Sequence, residues 1–255
     1  MSLRIDIGWL IATLLVSLRV AAATMLAPVF GPTQIPAFVR VLLAFTLAAV
    51  FVSAIPVSSV PITSAIELAV AAASELLIGA CLSFGFLAAY AATQVAGRAL
   101  DVQMGFGVAS VINPSAQGFS PLLGTFFGMA TVAVFLALDG HHVLVRALAL
   151  SLQSTPPGVT AYSSDWDAVL AQSRVMFTFG LALAAPVMFA LLLADVALAM
   201  LARSMPMLNV FVFSFSLKIV LGLTALAASI KLAEPLLTAL FDTTFHYWEQ
   251  AVVRP

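Results

Sequence analysis

Three groups of residues in this sequence carry side chains able to do chemistry. Ser120, in Gly118-Phe119-Ser120, could act as a hydroxyl nucleophile if His141, His142 or His246 came within hydrogen-bond reach, near 3 Å. Pro121 follows that serine where a membrane-embedded hydrolase would be expected to carry glycine, and none of the three histidines sits securely inside an apolar segment. Asp139, His141 and His142 are metal-ligand types, but adjacent histidines on a helix point about 100° apart, so a polar turn at a helix start is expected instead. Glu67, Ala71, Glu75, Gly79 and Ser83 recur every four residues, a stripe of acidic and small side chains. It would serve either a proton relay or a close helix–helix contact, and without a dense carboxylate–histidine chain the contact is favoured.

A further stretch, "GRALDVQMGFGVASVINPSAQG" from Gly97, has no reactive group but interrupts a very apolar chain. Gln103, Met104, Gly105, Phe106 and Gly107 combine a soft side chain, a bulky ring and two residues free to adopt φ > 0. Asn113-Pro114 then stops any helix. Asn113-Pro114-Ser115 is also the kind of cap that ends half-helices in water channels, yet the matching second copy is missing, since Asn209 is followed by Val210.

The elements that position these groups belong in lipid. Of 255 residues 63% are hydrophobic and 8% charged, with a mean hydropathy of +1.14, against roughly 25% charge in soluble domains. Ten basic and eleven acidic residues leave a net charge of −1 without a basic stripe, which excludes a nucleic-acid partner. Cys81 is alone, so no disulfide or cysteine zinc site forms within the chain. No Gly-Lys phosphate loop is present, and no cofactor or metal is expected. The first apolar run ends in Ala21-Ala22-Ala23 like a cleavage site, but Asp6 and Arg19 favour a first membrane helix.

A helix crosses the hydrocarbon in about 20 residues. The apolar runs predict an all-α integral membrane protein of six segments: 7–27, 37–55, 65–96, 121–138, 168–202 with a kink at Pro186, and 208–241 with Pro235 near its end. A shorter helix is predicted over 142–153, ended by Pro156-Pro157-Gly158. The third segment is too long for one upright span. No repeat or linker divides the chain, so residues 1–255 read as one domain. Arg4, Arg146 and Arg254 fall on one side and Arg40, Arg98 and Arg203 on the other, so the positive-inside rule gives no orientation.

Arg19, Glu67, Glu75, Arg174, Asp195, Lys218, Lys231 and Glu234 lie in or just inside apolar segments. Each costs at least ~2.5–3.5 kcal/mol at mid-bilayer unless paired, solvated or against protein. Lys231 and Glu234, three apart, are spaced to pair on one helix. Glu67, Glu75, Gly79 and Lys218 are taken as contacts to other helices or subunits.

The glycine stretch, with Gly97, Gln103-Met104-Gly105, Ala109 and Asn113-Pro114, resembles the FliR family of flagellar type III export-gate proteins. Gln34-Ile35-Pro36, Leu138-Asp139-Gly140-His141, Thr155-Pro156-Pro157-Gly158 and the block from Arg203 through Met205-Pro206-Met207-Leu208-Asn209-Val210-Phe211 match the same family in order and spacing. Asp139 stands where Asn is usual and Met207 where Gln is usual. Ser214-Phe215-Ser216-Leu217-Lys218 replaces a Gly-x-Pro-Leu pattern and looks closer to the injectisome branch, SctT/SpaR.

The resemblance implies a non-enzymatic gate component of helical hairpins in the bacterial inner membrane, at the flagellar basal body. Its implied partners are FliP, FliQ, FlhB and FlhA type subunits, membrane lipid, and the unfolded rod, hook and filament proteins that pass through. It also implies that the loop bearing Gln103, Met104, Gly105, Phe106, Gly107, Asn113 and Pro114 plugs the pore. An injectisome component is the nearest alternative. A proton-coupled transporter is the next, and it would need an inverted repeat of broken helices.

Overall fold

The computed structural model describes residues 7–25, 36–55, 64–106, 121–158, 166–204 and 210–253. Every regular element among them is an α-helix: α1 Ile7–Met25, α2 Ala37–Ala54, α3 Ala65–Met104, α4 Leu122–Ala137, α5 Gly140–Ser154, α6 Trp166–Ser204 and α7 Val210–Val253. Five are long and apolar enough to cross a membrane. Counting α4 and α5 as one span bent by 68° makes six. At 1.5 Å per residue the 40 residues of α3 run about 60 Å and the 44 of α7 about 66 Å, twice a bilayer's ~30 Å hydrocarbon.

Two boundaries differ from the expected ones. α3 continues past Ala96 to Met104, and α7 continues past Phe241 to Val253. α6 runs on through Pro186, and α7 through Pro235, as single helices.

The described residues group into two compact units. One draws on Met1–Ala88, Phe135–Ser173 and Thr243–Pro255. Its core is built from Leu15, Val16 and Val20 of α1, Ile78, Leu82 and Phe86 of α3, Leu148 and Leu152 of α5, and Trp248 of α7. Phe86 meets Phe135 edge to face at 4.6 Å. Trp248 Nε1 donates to the Leu82 carbonyl at 2.7 Å and Tyr247 Oη to that of Cys81 at 2.9 Å. Gly85 makes room for this, since a Cβ there would lie 2.6 Å from the Trp248 Nε1. Asp242, His246 and Glu249 lie exposed while Tyr247 and Trp248 are buried, so this last stretch of α7 is amphipathic and packs as a helix.

The other unit draws on Ala89–Val134 and Arg174–Asp242. Ala96, Leu100 and Met104 of α3, Leu123 and Phe127 of α4, and Leu183, Ala184, Val187 and Leu191 of α6 form its core. Large apolar side chains remain outside in both units, among them Phe38 of the first at 76% exposed and Phe189 of the second at 63%. In water such surface is a liability; against lipid or sister subunits it is what insertion requires.

Candidate functional site

The glycine-rich stretch leaves α3 inside the second unit, and each described residue of it has a distinct task. Gln103 Nε2 donates to Asp195 Oδ2 at 3.2 Å. The same carboxylate meets Lys218 Nζ at 2.5 Å, with the Asp195 and Lys218 side chains 37% and 24% exposed respectively. Met104 is fully buried and presses on Gly222 of α7, where a Cβ would come within 2.7 Å of its sulfur. Gly105 turns the chain with φ +89, a conformation that costs side-chain-bearing residues energy. Its amide closes the turn on the Val102 carbonyl at 3.1 Å, and the Phe215 ring would lie 2.8 Å from any Cβ placed there. Phe106 packs partly buried on the core. Gly107, Asn113 and Pro114 lie outside the described residues.

The chain resumes at Pro121, and α4 is held against one face of α3 at three points. Gln94 Nε2 donates to the Gly124 carbonyl at 2.7 Å. Gly97 lies on the backbone of Gly124, so closely that a Cβ would sit 2.5 Å from its Cα. Asp101, 4% exposed, accepts the Leu123 amide at 2.9 Å and the Gly124 amide at 3.1 Å. These are first-turn donors that α4 cannot satisfy itself. Asp101 is visible in the sequence only as a charge in an odd place; its partners lie 22 and 23 residues away.

The small-residue stripe divides. Glu67 is exposed and forms a capping box with Ser64, each backbone amide donating to the other's side chain at 3.2 Å. Ala71, Glu75 and Ser83 are buried. A Cβ on Gly79 would strike the Arg19 carbonyl and lie 2.7 Å from the Ala22 Cβ, so α1 and α3 touch backbone to backbone there. Glu75 takes Arg19 in a two-point pair, Nε to Oε2 at 2.6 Å and Nη2 to Oε1 at 3.1 Å. Arg19 also donates Nη1 to Ser151 Oγ at 3.1 Å and Nη2 to the Thr155 carbonyl at 3.0 Å, while the Gly158 amide bonds Glu75. The Thr155-Pro156-Pro157-Gly158 motif is thus the receiver of a buried ion pair, with Gly158 at φ 92 to aim its amide.

Other motif residues also acquire reasons. Asp139 sits in the left-handed region at φ 55, which Asn and Asp tolerate best, so Asp in place of Asn keeps the turn. A Cβ on Gly140 would strike the Phe135 ring. The ligand atoms of Asp139, His141 and His142 come within 4.8 Å of one another, contrary to the expected divergence, because the turn at Asp139 precedes the helix and the two rings stack at 4.1 Å. All three come from one turn, with Asp139 and His142 each 74% exposed. Lys231 and Glu234 are both exposed and form no pair with each other. Ser120 lies outside the described residues.

Residues 10–244 match the family described as bacterial export proteins, family 1. The chain belongs to this family. It is 33% identical over 237 residues to the flagellar biosynthetic protein FliR of Bacillus subtilis, covering 91% of each chain. To FliR of Escherichia coli K12 it is 30% identical, over 90% of this chain and 88% of the relative. The secretion system apparatus protein SsaT of Salmonella typhimurium is 31% identical over 62% of each chain. The FliR resemblance of the glycine stretch is therefore one of the whole sequence, with an injectisome-type relative beside the flagellar ones.

Proposed function

We propose that this multi-pass membrane protein is a component of the flagellar type III export gate in the bacterial inner membrane, at the basal body. There it joins FliP, FliQ, FlhB and FlhA type subunits and lets unfolded rod, hook and filament proteins out of the cell. It makes and breaks no covalent bond in doing so. The observation that carries this reading is the family match from residue 10 to 244, with flagellar relatives aligned over about nine-tenths of the chain.

Within that gate, the segment leaving α3 serves as the plug. Gln103 and Met104 are its root, tied to Asp195 and packed on Gly222. Gly105 turns the chain away from the helix, and Phe106, Gly107 and the residues to Asn113-Pro114 obstruct the passage. Irregular backbone at membrane depth is tolerated only where protein buries it or it lines a cavity.

A strain deleted for this gene tests the reading. Loss of hook and filament protein from the culture medium, restored by the intact chain, supports it; unchanged flagellar export contradicts it. A mild-detergent pull-down from the restored strain should bring the sister gate subunits. The injectisome reading has the SsaT likeness and Lys218 in its favour. It predicts instead that virulence-type substrates vanish while flagellar ones remain.

A further inference from the structure

We infer that Asp101 is a positioning residue that pins the root of the gate loop, an inference that rests on the plug reading above. The chain leaves α3 at Gly105 and resumes at Pro121, so the α3–α4 contact is what brings the two ends of the loop together. Gln94, Gly97 and Asp101 recur at spacings of three and four along α3, so one face of that helix carries the whole contact. Two of the three points are ordinary packing and a neutral hydrogen bond. The third is a buried carboxylate with both oxygens spent on consecutive amides, 2.9 Å from Leu123 and 3.1 Å from Gly124.

That geometry has a particular consequence. The free amides at a helix start carry partial positive charge, and a carboxylate meets them with charge-assisted bonds. The first-turn amides of α4 have no partner within the helix, and those of Leu123 and Gly124 are the two that Asp101 takes. Asp101 stands on α3 four residues before Gly105, the turn that follows the helix, so it lies at the base of the loop. Without the pin, the start of α4 keeps only the Gln94 hydrogen bond and the Gly97 packing against α3.

The test uses the assembled export complex in cells, with three variants beside wild type: Asp101→Ala, Asp101→Asn and a deletion of residues 106–109. Ion entry is read in growing cells and complex yield after extraction. Asp101→Ala is expected to assemble and to leak ions several-fold above wild type, less than the loop deletion. Asp101→Asn keeps one acceptor and should recover part of the seal. Hydrogen exchange on the purified complex should speed by about ten- to a hundredfold at Leu123 and Gly124 in Asp101→Ala, the scale for losing a bond to a charged group, with α6 unchanged.

A leaking deletion beside a tight, assembled Asp101→Ala would overturn the inference and leave the plug reading intact. If neither leaks, both fall. Should Asp101→Ala fail to assemble, Asp101→Asn decides: an assembled, leaky complex supports the pin, and a tight one removes it.

Discussion

Two ion pairs of the same chemistry occupy opposite regimes in this molecule. Arg19 and Glu75 are 0% and 1% exposed, and Arg19 spends donors on a carboxylate, a hydroxyl and a carbonyl from α3, α5 and the turn after it. Lys218 and Asp195 are 24% and 37% exposed, with Gln103 as a second donor to the carboxylate. The first pair is bound on every side, and its loss would leave a bare charge where neither water nor lipid compensates. The second retains access to other partners, and exposed pairs contribute little to stability. The difference teaches where the chain is built and where it is able to change. The Arg19 pair is a clamp, whereas the Lys218 pair meets Gln103 at the loop's root through a contact that can be exchanged.

The contrast can be broken most severely at Glu75. Glu75→Leu should destabilise the first unit by about 3–5 kcal/mol, because Arg19 would remain buried without its counter-charge. The check is recovery of assembled complex, which should collapse. The double change Arg19→Met with Glu75→Leu should recover part of it, since no orphan charge remains. Normal assembly of the single variant with export abolished would favour the proton relay instead.

Next in size is Gly97→Leu. Its side chain has no space against the Gly124 backbone, and overpacking of this kind costs about 1–3 kcal/mol. Thermal unfolding in detergent should show the loss, while Arg98→Gln, a control on the exposed face of the same helix, should leave it unchanged. Trp248→Phe removes the donor to the Leu82 carbonyl and should cost about 1 kcal/mol in the same assay.

The smallest effect is expected at Lys218. Lys218→Met should change stability by less than about 1 kcal/mol, yet alter the ion seal because the Asp195 carboxylate that accepts from Gln103 then loses its cation. A stability loss equal to that of Glu75→Leu would erase the distinction between the two pairs.

Much of this is legible from residue types. The apolar runs mark the helices, Pro36 the start of α2 and Gly105 a turn with φ > 0. The end of α3 is not. Gly97, Arg98 and Asp101 look like the close of an apolar run, but Arg98 is exposed and Asp101 is satisfied by amides of α4, a partner that no local pattern displays. The continuation of α7 past Phe241 is hidden for a similar reason, since the alternation of Asp242, His246 and Glu249 with buried Tyr247 and Trp248 shows one amphipathic face only after folding. Spacing also misleads: Lys231 and Glu234 are placed to pair and do not, while Arg19 and Glu75, 56 residues apart, do. Sequence periodicity reports neighbours on one helix, whereas Arg19–Glu75 and Lys218–Asp195 are matched across helices.

The claim that the segment leaving α3 seals the gate has one direct measurement. Ion entry is compared between cells carrying the wild-type complex and cells carrying an equally abundant complex that lacks residues 106–109. The account predicts a clear leak in the deletion with export retained, because the pinned helices on either side keep the complex together. An assembled deletion complex that stays as tight to ions as wild type would contradict it.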